Sequence, residues 1–257
     1  MKQSIFITVL TVVALAIAIS IYVFVFGNPA NFKDGAGHTV PLNLLGTIYT
    51  GGPLVALLIM LSIMDVAIIF ERSFSLRKAS GKRAISNFFS EVVTNLENGN
   101  YNAAIEACDN QRGSVANVIK AALTRYKELL SKGEKVEAEK QLLEVQRSIE
   151  EASMLETPLL EKNLITLSTI ASIATMVGLL GTVIGMIRAF SALAQAGAPD
   201  AIQLATGISE ALINTAGGLI TAIMGIVAYN FFVNKVDNFT YMVDEAGYNV
   251  IQILKTK

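Results

Sequence analysis

Four stretches of this chain, 4–26, 44–70, 164–187 and 201–234, carry two charged residues between them, Asp65 and Glu210. Each can supply the roughly 20 residues that cross a hydrocarbon core about 30 Å thick. Inside such a core no water satisfies the backbone N–H and C=O groups, so an isolated apolar span is helical. The charge is concentrated elsewhere. Residues 71–163 hold 14 of the 20 Lys and Arg and 14 of the 21 Asp and Glu. The expected fold is therefore all-α: a polytopic helical membrane protein whose long transmembrane helices extend into a cytoplasmic helical domain. The pattern divides the chain into an N-terminal transmembrane helix with a short periplasmic segment (1–43), a second span (44–70) and the cytoplasmic block (71–163). Two spans joined by a short periplasmic turn follow (164–234), then a C-terminal cytoplasmic helix (235–257).

The first stretch has a rival reading as a secretory signal, with Lys2 as its basic end. Its apolar run is longer than the usual 7–15 residues and no small-x-small site closes it, which favours a retained helix. Orientation follows the excess of Lys and Arg on cytoplasmic loops. Arg72, Arg77, Lys78, Lys82 and Arg83 follow the second span, whereas residues 27–50 hold only Lys33 and the 195–203 turn holds no Lys or Arg. Both termini, the C-terminal one with Lys255 and Lys257, are expected on the cytoplasmic side.

Composition removes whole classes of function. An apolar share of 53% excludes a disordered chain. A net charge of −1 gives no footprint for nucleic acid. A single cysteine, Cys108, and a single histidine, His38, leave no disulfide framework and no multi-Cys or multi-His metal cluster. No G-x-x-x-x-G-K-[ST] phosphate loop is present, and no Ser/His/Asp set can form within the membrane. We therefore expect no enzyme activity, no cofactor and no metal, with energy drawn from an ion gradient.

The polar block reads as successive helices. One ends at Gly99 as a C′ residue, the next begins at Asn100 as an N-cap, and a third ends at Gly133. The last carries Val136, Leu142, Leu143, Val145, Ile149 and Leu155 at spacings that suit a packed helix, with Pro158 as a kink or a junction with the third span. Cys108 reads as a small packing residue and His38 as an ordinary exposed one.

The last two spans carry the polar chemistry. Gly178, Gly181 and Gly185, with Gly217 and Gly218, allow close backbone approach in lipid, and Thr182 lies among the first three. At about 100° per residue, Asn214, Gly217, Thr221 and Ala228 share one helix face with Glu210, while Thr215 points to another neighbour. An acidic side chain near a span's centre costs on the order of 3 kcal/mol, so Glu210 must face protein or water. There it is either a group that takes up and releases protons or an interfacial glutamate. Asp65 is expected to meet the cytoplasmic interface or a basic neighbour, and Arg188 to reach outward toward Asp200.

The segments "VGLLGTVIGMIRAF" (177–190), "GISEALINT" (207–215) and "GLITAIMGIVAYN" (218–230), with "IIFERSFSLRK" (68–78), resemble the MotA/TolQ/ExbB proton-channel family over about residues 45–245, nearest its ExbB branch and next its TolQ branch. The resemblance implies a homopentamer in the inner membrane of a Gram-negative cell. Its pore would hold a single-span ExbD- or TolR-like partner in two copies, carrying a membrane aspartate. It implies a proton pathway through Thr182, Glu210 and Thr215, which Asn214 and Thr221 extend. The energy of the proton-motive force would be passed to a TonB-like protein for outer-membrane transport, or, in the TolQ reading, used for envelope integrity. A non-conducting membrane scaffold is the alternative of a different class. The chain departs from the family pattern at Thr175 and Met224, where proline is frequent, at the more polar Asn214, and in its first 43 residues.

Overall fold

The structure is a computed structural model that describes residues 2–38, 40–131, 138–194 and 201–255. The expected features at Gly133, Val136, Asp200 and Lys257, and residues 195–200 of the expected turn, lie outside the described residues. Nine α-helices are present among the described residues, and four helical segments are long and apolar enough to cross a membrane. The residues group into two compact units, one of Met1–Ile69 and Ile165–Tyr229, the other of Phe70–Leu164 and Asn230–Lys257.

In the first unit, α1 (Lys2–Ser20) continues as a π-type turn over Ile21–Phe26. Three asparagines organise the segment that follows. Asn31 Nδ2 donates to the carbonyls of Val25 and Phe26 at 2.8 and 3.1 Å, closing the open end of the helix. Asn43 donates to Asn31 Oδ1 at 2.9 Å and caps α2 (Leu44–Tyr49) by accepting from Gly46 N. Asn28 caps a short 3-10 turn at Pro29–Asn31. His38 is not the exposed side chain expected from the sequence. Its Nε2 hydrogen-bonds the Gly27 carbonyl at 2.8 Å, and its ring stands edge-on to Phe32 and close to Tyr49, which stacks on Tyr22. An aromatic cluster supplies the burial that the segment's polar sequence did not suggest.

The second apolar stretch, 44–70, divides. Gly51 and Gly52 separate α2 from α3 (Pro53–Ala79). Gly52 sits at φ +76°, a left-handed conformation that glycine adopts without strain, and Pro53 starts the next helix where its missing N–H costs nothing. The bundle is completed by α8 (Leu164–Ala194) and by the first part of α9 (Ala201–Lys255). Leu179, Val183 and Ile187 on α8 and Leu212, Ile220, Ile223 and Val227 on α9 are exposed in the single chain. That is ordinary for helices whose surroundings are lipid or other spans.

The second unit stacks α4 (Ile85–Glu97), α5 (Tyr101–Gln111), α6 (Ser114–Ser131) and α7 (Ala138–Glu161), each packed on the next. Gly99 has φ +70° just past α4, and Asn100 Oδ1 accepts from Ala103 N at the start of α5, as the sequence indicated. Phe232, Val236, Phe239, Val243, Ala246, Val250 and Leu254 are buried along α9 at three- and four-residue steps, the signature of one packed helical stripe. The apolar series on α7 divides: Val145 and Ile149 are buried, whereas Leu143 and Leu155 are 64% and 73% exposed. Pro158 lies within α7, and the helix ends instead near Asn163, whose φ is +62°. Gln111 is buried and bonds the 80–84 turn, donating to Arg83 O at 2.8 Å and accepting from Arg83 N. Burial and the neighbouring Asp109 charge push the Cys108 thiol up to about 12.

Candidate functional site

The glycines expected to pack helices do so in two different places. A Cβ built on Gly185 would lie 2.6 Å from Gly207 O and 2.7 Å from Ala211 N; one on Gly218 would lie 2.6 Å from Ala174 O and 2.9 Å from Gly178 Cα. A Cβ on Gly181 would meet the Asn214 side chain. So α8 and α9 cross with their backbones in contact, through Gly178, Gly181 and Gly185 on one side and Gly207 and Gly218 on the other. Gly217 instead faces α3, where a Cβ would come within 3.2 Å of Leu58 Cδ1.

That close approach places Thr182 beside Thr215, with hydroxyl oxygens 3.2 Å apart. Each hydroxyl also reaches a carbonyl of its own helix, Thr182 that of Leu179 at 2.9 Å and Thr215 that of Ala211 at 3.0 Å. The other polar face of α9 turns toward α3 and the Gly51–Gly52 link that precedes it. Glu210, Asn214 and Thr221 are all buried there. Asn214 Nδ2 donates to Gly51 O at 2.7 Å and to Glu210 O at 3.0 Å. Thr221 meets Ser62 of α3, oxygen to oxygen at 2.6 Å.

Arg188 does not extend away from the bundle as expected. Its Nη1 donates to both carboxylate oxygens of Glu210, at 2.6 Å each. The pair is lopsided, the Arg188 side chain being 58% exposed and that of Glu210 only 5%. Gly52 closes over the carboxylate from the other side, and a Cβ there would lie 2.8 Å from Oε1. Glu210 is therefore an enclosed carboxylate whose partner opens outward.

Asp65 corrects a second expectation. It is fully buried, and neither carboxyl oxygen has a hydrogen-bond partner among the described residues. The cause is geometric: Asp65 points from α3 at Gly225, where a Cβ would lie 3.0 Å from Oδ2 and 3.1 Å from Ala171 Cβ. Ser62, Gly51, Gly52, Gly207 and Gly225 were not singled out in the sequence. The three-residue step from Ser62 to Asp65, which puts both on one face of an otherwise apolar span, was the signal available for the first.

The fold and the site define a multi-pass helical membrane protein with a buried carboxylate and paired hydroxyls among its spans. A family model, the MotA/TolQ/ExbB proton channel family, matches residues 110–245, just over half of the chain. The chain belongs to this family. It is 38% identical over 88 residues to the biopolymer transport protein ExbB of Pseudomonas putida, covering 34% of this chain and 27% of that protein. With ExbB of Salmonella typhimurium the identity is 36% over 85 residues, 33% of this chain and 35% of that one. The Tol-Pal system protein TolQ of Haemophilus influenzae is 31% identical over 182 residues, 68% of this chain and 76% of the relative. The matched part thus spans only about a third or less of these ExbB relatives.

Proposed function

We propose that the chain is an ExbB-like subunit of an inner-membrane motor that converts the proton-motive force into mechanical work on a TonB-like protein, serving outer-membrane transport. The observation that carries this reading is the enclosed Glu210 carboxylate with its outward-opening Arg188 partner. In this reading a proton arriving at Glu210 releases Arg188, and loss of the proton restores the pair. Each charge moved releases about 2.3 kcal/mol per 100 mV, so a few protons supply a substantial stroke. Thr182 and Thr215 serve as the hydroxyl element of the path, with Asn214 and Thr221 on the α3 side. Five copies surround two helices of an ExbD- or TolR-like single-span partner. The block 71–163 and both termini face the cytoplasm, in keeping with the five Lys and Arg between 72 and 83.

A TolQ-like role in envelope integrity is the second reading. It is favoured by the longer reach of the TolQ match, 68% of this chain against 34% for the Pseudomonas putida ExbB. Removing the chain from its own cells separates the two. Loss of energy-dependent uptake with an intact envelope supports the ExbB-like role; detergent sensitivity with normal uptake supports the TolQ-like one. Neither defect would contradict both.

A further inference from the structure

The Arg188–Glu210 pair leaves a second intramembrane carboxyl without a role. Asp65 is completely buried within the second span, six residues before Glu71, and both of its oxygens lack a hydrogen-bond partner among the described residues. A carboxylate left charged and unpaired in such a place carries a heavy desolvation cost. Its surroundings offer no compensating charge. From Leu164 to Ile187, α8 has no charged residue and presents Leu167 and Ala171 here. On α9 the nearest titratable group along the helix is Tyr229, one turn beyond Gly225, and the nearest charges are Glu210 and Lys235. On α3 itself the next charges are Glu71 and Arg72, which bond each other.

The cost is removed when the carboxyl takes up a cation. A hard metal ion needs several oxygen ligands around it, whereas a Cβ built on Gly225 meets Asp65 Oδ2, the Ala171 Cβ and the Leu167 carbonyl oxygen as its three nearest atoms. A proton needs no such shell. The seam also carries other polar groups: the Ser62–Thr221 hydroxyl pair lies one helical turn from Asp65 and Gly225, and Asn214 Oδ1, two turns further along the same face of α9, is another buried acceptor without a partner among the described residues.

We propose that Asp65 is a proton-binding site inside the subunit, in the seam between α3 and α9, separate from the Arg188–Glu210 pair. It rests on the proton-channel reading and adds a second carrier to it. Gly225 leaves the room in which the carboxyl turns.

The test is infrared spectroscopy of the full-length chain, purified with its native membrane partners in lipid, at neutral pH in sodium-free and sodium-containing buffer. The expected result is a protonated-carboxyl C=O band that is lost in Asp65→Asn, displaced in Asp65→Glu and retained in Glu210→Gln, with no effect of sodium. A band unchanged in both Asp65 variants, or one that appears only when sodium is removed, overturns the proposal. Failure of the proton-channel reading is registered separately, as absence of proton flux through the wild-type complex.

Discussion

Arg188 and Glu210 stand 22 residues apart in sequence on two different helices, yet one guanidinium nitrogen touches both oxygens of the carboxylate. Removing the cation strands the anion in its pocket. Breaking a fully buried pair costs about 3–5 kcal/mol; because Arg188 is largely open, we expect about 1–3 kcal/mol for Arg188→Leu. The loss should register as a lower unfolding temperature of the detergent-purified protein. Arg188→Leu combined with Glu210→Gln should recover much of it, since the stranded charge is then gone.

Substitution of the two adjacent glycines should give unequal results. A methyl at Gly218 meets the backbone of α8, which cannot yield, so Gly218→Ala should destabilise by about 1–3 kcal/mol. A methyl at Gly217 meets only the end of the Leu58 side chain, so Gly217→Ala should stay within about 0.5 kcal/mol. Thermal unfolding of both variants in one detergent checks the contrast, and equal effects would contradict the α8/α9 backbone contact.

The Ser62–Thr221 bond is short, but hydrogen bonds between spans are usually weak. A double-mutant cycle with Ser62→Ala and Thr221→Val should return a coupling of about 0.6 kcal/mol and not above about 1.7 kcal/mol. A value near zero would mean that the hydroxyls do not meet in the membrane.

Cys108 offers a check on the helical block away from the spans. Its thiol lies at about 12 against an ordinary 9.0, chiefly through burial. Because the folded value is raised, the stabilisation linked to the neutral thiol is complete below pH 9 and fades as pH rises toward 12. A thiol reagent at pH 8 should leave the folded protein unlabelled and react fully after denaturation. Rapid labelling of the folded chain would contradict the packing of α5.

Much of the architecture was legible because lipid imposes a simple code. Long uncharged runs can only be helices, and the polar face of Glu210, Asn214 and Thr221 follows from 100° steps along one of them. Asn100 and Gly99 announced a helix boundary through local chemistry alone. The partner of Glu210 was not legible, since helical spacing says nothing about which residue of α8 lies opposite a given residue of α9. Asp65 was read as seeking an interface or a cation because charge in lipid is costly; its actual place depends on the cleft left by Gly225, a contact between elements distant in sequence. His38 was missed for the same reason, its partners being a carbonyl and rings brought together by the fold.

The most direct measurement is proton flux, followed with a pH-sensitive dye in inverted membrane vesicles from cells making the chain and its native partners. Glu210→Gln is compared with the wild type at equal complex abundance. A proton relay through Glu210 predicts that flux is lost while the complex remains assembled. Undiminished flux in that variant would contradict the relay and leave Glu210 as a structural partner of Arg188.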